Sequence, residues 1–223
     1  MSDVNLLRAV AQRSGTSPER KQLQRFDWLE TALEIFVAEG IDAVRITRLA
    51  DDLGVTRGSF YWHFENREDL IEALVDFWKS KNTPTLGAAF DQAVSLEDGI
   101  LRFFEICVDP SQFDSRLDLA IREWARRSQQ VRRLVDEEDR TRIDSMRRFF
   151  EKHGFQMPEA LIRARVLYYT QIGFYALDVA EPLETRLGYT EAYFQCFTGQ
   201  PLAAPSAQRF RQDIIERYGD RIA

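Results

Sequence analysis

The chain has 223 residues, enough for one large domain or for a small module attached to a larger body. Its apolar fraction of 44% and aromatic fraction of 12% exclude a disordered or fibrous chain, and no stretch nears the roughly 18 apolar residues of a membrane span. The net charge of −6 argues at first sight against a polyanionic partner, because such binding draws on Lys and Arg neutralising phosphates.

The start, Met1 to Arg8, lacks the basic and apolar regions of a secretory leader, so the expected location is the cytoplasm with no membrane association. Cys107 and Cys196 are too few for a disulfide scaffold and have no zinc spacing; both read as small packing residues. No convergent acid/base, nucleophile or metal-ligand set can be assembled. The expectation is therefore a protein that is not an enzyme, with no catalytic residue, no metal and no cofactor.

Helical periodicity runs through almost the whole chain, and the predicted class is all-α. Residues 1–19 hold one short apolar group before Ser14-Gly15-Thr16-Ser17-Pro18 and read as a mobile arm. Leu29, Ala32, Leu33, Phe36 and Val37 then form one face of a helix that Gly40 ends. Ile46, Leu49, Ala50 and Leu53 give a short helix, Gly54-Val55-Thr56 a turn, and residues 57–64 a second short helix. Asn66 caps the next helix, whose face is Leu70, Ala73, Leu74, Phe77 and Trp78, and Asn82-Thr83-Pro84 is expected to end it. Further helices are expected at roughly 85–94, 96–108, 112–126, 128–153, 158–180 and 183–198. A linker at 201–205 and one last amphipathic helix follow. The predicted organisation is an arm over 1–19, a small helical module over 20–81 and a helical body over 82–223.

Two short helices joined by a glycine turn form a helix-turn-helix, whose second helix enters the major groove of DNA. The pattern by itself also fits an ordinary bundle corner. The residue chemistry adds weight: a short helix carrying Tyr61, Trp62 and His63 side by side cannot bury all three, and each type can meet phosphate, sugar or base edges. Phe60 and Phe64 read as core packing; Trp62 could lie on either side.

These residues resemble a known family. Thr47-Arg48-Leu49-Ala50-Asp51-Asp52-Leu53-Gly54-Val55-Thr56-Arg57-Gly58-Ser59-Phe60-Tyr61-Trp62-His63-Phe64-Glu65-Asn66-Arg67-Glu68-Asp69-Leu70, preceded by Gly40-Ile41-Asp42, is similar to the amino-terminal domain of the tetracycline-repressor (TetR) family. The likeness covers residues 21–75, about a quarter of the chain. It implies a homodimer on a pseudo-palindromic double-stranded DNA operator, and a carboxy-terminal domain that dimerises and binds a small-molecule effector. Position by position, it implies phosphate contacts from Arg45 and Thr47, base or phosphate contacts from Arg57 and Ser59, and close backbone approach at Gly58. Tyr61, Trp62 and His63 match the family's backbone- and thymine-contacting cluster, and Arg67 a phosphate contact. Where the family usually has Thr, this chain has Arg45, whose charge still suits the role.

In the body, Leu161, Arg165, Tyr168, Ile172, Tyr175 and Val179 form a seam, and Tyr189, Tyr193 and Phe197 an aromatic row on the next segment. The resemblance places the dimer interface on these helices, so Tyr168, Ile172, Tyr175, Val179, Tyr189, Tyr193 and Phe197 are candidate interface residues; an intrachain core pair shows the same pattern. Phe103, Phe104, Trp124, Phe149, Tyr169 and Phe174 are candidates for the pocket of an unidentified effector, although aromatics at helical spacing also serve as plain core. The arginines and acids of 126–142 read as a solvated helix face. Residues 1–81 and 82–223 each carry a net charge of −3, so any basic footprint is local to Arg45, Arg48 and Arg57, with Arg20, Lys21, Arg25 and Arg67 nearby. The leading reading is a transcriptional repressor released from its operator by a small-molecule inducer; the readings left open are an activator or ligand-independent regulator, and a helical protein-interaction module.

Overall fold

A computed structural model describes residues 23–222; the expected arm over 1–19, and Arg20 and Lys21, lie outside the described residues. The described residues form eleven α-helices and one 3-10 turn, with no strand, so the class is all-α. They divide into two compact units, 23–80 with 116–128 and 81–115 with 129–222.

In the first unit, α1 (Arg25–Glu39) starts where Asp27 accepts the Gln24 N–H at 2.6 Å and stops at Gly40, whose φ of +85° suits glycine. A 3-10 turn (Ile41–Ala43) leads to α2 (Ile46–Asp52). Gly54, at φ +68°, then donates to the Asp51 carbonyl and Val55 to that of Ala50, closing the helix end by the paired bonds of a Schellman motif. Helix α3 (Arg57–Phe60) is one turn, shorter than the expected 57–64; the chain continues as tight turns in which His63 and Phe64 donate to the Phe60 carbonyl. Next comes α4 (Arg67–Asp91), its first turn capped by Asn66 accepting from the Asp69 N–H at 2.9 Å. The core contains Trp28, Phe36, Leu49, Phe60, Leu70, Leu74 and Trp78, all essentially inaccessible.

Helix α6 (Ser115–Ala125) contributes residues 116–125 to this unit, although the sequence placed them with the body. Two contacts account for that. Trp124 meets Phe36 edge-to-face at 6.0 Å, and the buried Asp118 accepts from Trp78 Nε1 at 2.8 Å while pairing with Arg122 at 2.7 Å.

The second unit corrects one expected boundary. Pro84 does not end its helix: α4 continues to Asp91. Proline costs a helix interior about 3 kcal/mol, which burial of Leu86, Ala89 and Phe90 beyond it offsets. Asn82, fully buried, exchanges two 3.1 Å bonds with the Asp114 backbone, fixing the segment on its other side. Helices α5 (Leu96–Val108), α7 (Gln129–Lys152) and α8 (Glu159–Ala176) follow, and α7 packs along α8. The expected helix over 183–198 is two, α9 (Leu183–Gly188) and α10 (Thr190–Thr198), because Thr190 turns its hydroxyl back onto the Leu187 carbonyl at 2.8 Å. Helix α11 (Ala204–Ile222) buries Phe210, Ile214 and Tyr218 against Leu183 and Leu187.

Candidate nucleic-acid interface

The helix-turn-helix places its polar and aromatic residues by anchoring two phenylalanines. Phe60 is inaccessible, lies edge-on to Trp28 at 5.3 Å and stacks on Phe64 at 5.4 Å. With those two inward, their neighbours have no inward position left. Tyr61 is 53% exposed and Trp62 87% exposed, which settles Trp62 as a surface residue. Exposing a Trp to that degree is unusual for a side chain with no external role. His63 is half-buried with its ring 6.5 Å from that of Trp28. Arg57, Gly58, Arg45 and Thr47 are exposed and Ser59 is partly exposed. A Cβ added at Gly58 would meet only Thr56 Oγ1, at an ordinary 3.6 Å, so the fold itself does not require glycine there.

The basic residues separate into two groups. Arg48 is bound by Glu39, at 2.6 and 2.5 Å, and lies 3.7 Å from Asp52. That guanidinium holds the Glu39 carboxyl below its ordinary range. Arg25 pairs with Asp69 at 3.4 Å and lies over the Phe64 ring at 4.3 Å. Arg67, expected at a phosphate, is used internally: Nε donates to the Val44 carbonyl and Nη2 to the Ile41 carbonyl, both at 2.7 Å, fixing the 3-10 turn to the start of α4. Only Arg45 and Arg57, among the described residues of 43–67, present exposed guanidinium groups with no carboxylate bound.

In the second unit the six candidate pocket aromatics do not converge. Phe103 and Phe149 are buried core, Trp124 belongs to the first unit, and Tyr169 is 56% exposed. Phe104 and Phe174 do share a cleft, of about 80 Å³, with side chains from α5, α8, α9, α10 and α11.

The candidate interface residues also divide. Tyr168 is inside, donating to Asp139 at 2.6 Å and accepting from the buried Arg142 at 3.1 Å, so Arg142 is core rather than solvated face. Phe197 is buried; Ile172 is packed on the core, and Tyr175 stacks on Phe113 and donates to the Cys107 carbonyl. Val179, Tyr189 and Tyr193 are exposed. The outward row of α8 is a different one: Ile162, Val166 and Tyr169, with Leu177 just past the helix end, are all exposed, and Gly173 is in line between them. Apolar residues on every face of α8 make the two rows indistinguishable by spacing, so only burial separates them.

Residues 29–74 match the family model described as bacterial regulatory proteins, tetR family. The regulator TtgR of Pseudomonas putida is 38% identical over 58 residues, a match that covers 26% of this chain and 28% of TtgR. The tetracycline repressor class A from transposon 1721 of Escherichia coli is 27% identical over 153 residues, 68% of this chain and 65% of that protein. Among solved structures, Salmonella enterica GusR superposes with a TM-score of 0.54 at 17% identity, covering 90% of this chain and 98% of that one, which is a likeness of fold. The helix-turn-helix thus matches the tetR family of bacterial regulatory proteins in sequence over residues 29–74, and the all-α chain that carries it is alike in fold to a solved structure.

Proposed function

We propose that the protein is a DNA-binding transcriptional repressor, which binds a pseudo-palindromic operator as a homodimer and is released by a small-molecule inducer. The observation that carries the reading is the outward set Arg57, Gly58, Tyr61 and Trp62, displayed on a rigid pair of buried phenylalanines. Arg57 at the front of α3 reads a base edge or phosphate, Tyr61 and Trp62 flank the backbone and thymine methyls, and Gly58 allows close approach of main chain to DNA. Arg45 and Thr47 contact the neighbouring phosphates. Arg67 acts behind the surface, holding the module's shape.

Two such modules, set one DNA turn apart at roughly 34–36 Å, would read successive major grooves. The face joining the copies is assigned to Ile162, Val166 and Tyr169 on α8, Leu177 at its end, and Tyr189 and Tyr193 after it, apolar side chains left in water by the single chain. An inducer would favour a second dimer shape with a different module spacing. The test is operator binding with DNA flanking the gene, at two salt concentrations, for the parent, Arg57→Ala and Trp62→Ala. A tenfold or greater loss in both variants with unchanged thermal stability is expected; parent-like binding by both would overturn the reading.

A further inference from the structure

The cleft shared by Phe104 and Phe174 holds a cation that is not ion-paired among the described residues. Arg186 lies with its guanidinium carbon 4.9 Å from the Phe174 ring centroid, and among the described residues it forms no ion pair. A guanidinium laid on a ring directs its N–H edges away from that ring, in the fork that matches a carboxylate. Gln171 lines the same cleft, and its buried Nε2, which interacts with the Tyr175 hydroxyl, makes no hydrogen bond of full geometry and is a second donor there. The thiol of Cys107 supplies no compensating charge, since burial pushes its pKa up to about 12. Glu181 also lines the cleft but is not paired with Arg186.

The rest of the wall is aromatic. Phe104 lies 6.5 Å from Phe210, and Tyr193 stacks on Phe197 at 5.8 Å and 18° while remaining 39% exposed. At about 80 Å³ the space is roughly half of the ~150 Å³ of an engineered apolar cavity that takes up benzene. A single ring therefore enters only by displacing Tyr193 from its stack, and exchanging one ring for another on Phe197 preserves that contact.

We propose that this cleft binds single-ring aromatic carboxylates, the carboxylate on Arg186 and Gln171 and the ring in the place of Tyr193. The proposal rests on the ligand-responsive part of the function proposed above and gives its effector a chemical class. Because Tyr193 also belongs to the face assigned to self-association, its displacement is a direct way for occupancy to reach the dimer.

The test uses the full-length protein and isothermal calorimetry with sodium benzoate, benzamide and benzylamine. Benzoate is expected to bind, with benzamide and benzylamine at least tenfold weaker. Arg186→Gln should lose tenfold or more, and Glu181→Gln, which removes a like charge, should strengthen benzoate binding; that opposite sign keeps the test decisive if Arg186→Gln folds poorly. Equal binding of benzoate and benzamide, or an unchanged benzoate affinity in both variants, would overturn the proposal. Operator release is measured separately. Benzoate bound through Arg186 without release would support the site while refuting the inducer reading; release by another compound that persists in Arg186→Gln, with no benzoate binding, would do the reverse.

Discussion

Substitutions at three residues separate recognition from support. Arg57→Ala removes an exposed cation that contacts no carboxylate, so operator affinity should fall with the melting temperature unchanged. Arg67→Ala instead orphans the carbonyls of Ile41 and Val44, and charge-assisted bonds of this kind contribute about 1.5–3 kcal/mol each. It should lower both stability and operator affinity, as thermal unfolding and gel-shift titration would register together. Gly58→Ala should act with opposite signs: its Cβ fits, and alanine favours a helix by about 1 kcal/mol over glycine, so stability holds or rises while DNA binding weakens. Arg67 illustrates the limit of residue-by-residue reading. Its charge and position match a phosphate contact, but whether a carbonyl pair 23 and 26 residues earlier claims the guanidinium first depends on the packing of α4.

Cys107 sets an alkaline limit on stability. Below pH 9 its thiol is protonated in both folded and unfolded chains and contributes no pH dependence. Between its ordinary value of 9.0 and about 12 only the unfolded chain ionises, which draws the equilibrium toward unfolding by up to about 1.4 kcal/mol per pH unit. Denaturant melts from pH 8 to 10.5 should show this fall in the parent and a shallower one in Cys107→Ala.

At the scale of elements, Asn82 shows how a breaker signal was overridden. Asn-Thr-Pro is a sound reason to end a helix, since proline removes a bond and restricts the residue before it. Here the Asn82 amide is occupied by the Asp114 backbone, and Leu86, Ala89 and Phe90 have a core to enter, so continuing the helix is favourable. Asn82→Ala leaves the part-buried N–H and carbonyl of Asp114 without those partners and should cost about 1–3 kcal/mol in chemical denaturation. The apolar face after the proline was legible in the sequence; the partner 32 residues away was not. The same reason applies to α9 and α10, where a hydroxyl-to-carbonyl bond at Thr190 divides what periodicity joins.

For the whole molecule, charge and association are linked. Of the arginines near the reading helix, Arg48 and Arg25 are bound by carboxylates and Arg67 by carbonyls, leaving Arg45 and Arg57 per protomer. Four such contacts in the proposed dimer would give a log–log salt slope of roughly −4, shallow for a specific binder. A net charge of −6 then limits non-specific affinity rather than opposing DNA. On the association side, Val166→Glu or Leu177→Glu places a charge on an exposed apolar row and should convert the proposed dimer to monomer in sedimentation, with no loss of helix content.

The sequence by itself determined the all-α class, the helix-turn-helix with its glycine turn, the inward phenylalanines and the family likeness of residues 29–74, because these rest on local periodicity, caps and a contiguous motif. It could not decide which face of α8 points outward, which arginines remain unbound, or which aromatics share a cleft. Those outcomes depend on which residues from distant parts of the chain meet, and a helix apolar on several sides, or a cation with several acceptors within reach, has no single solution until tertiary packing selects one.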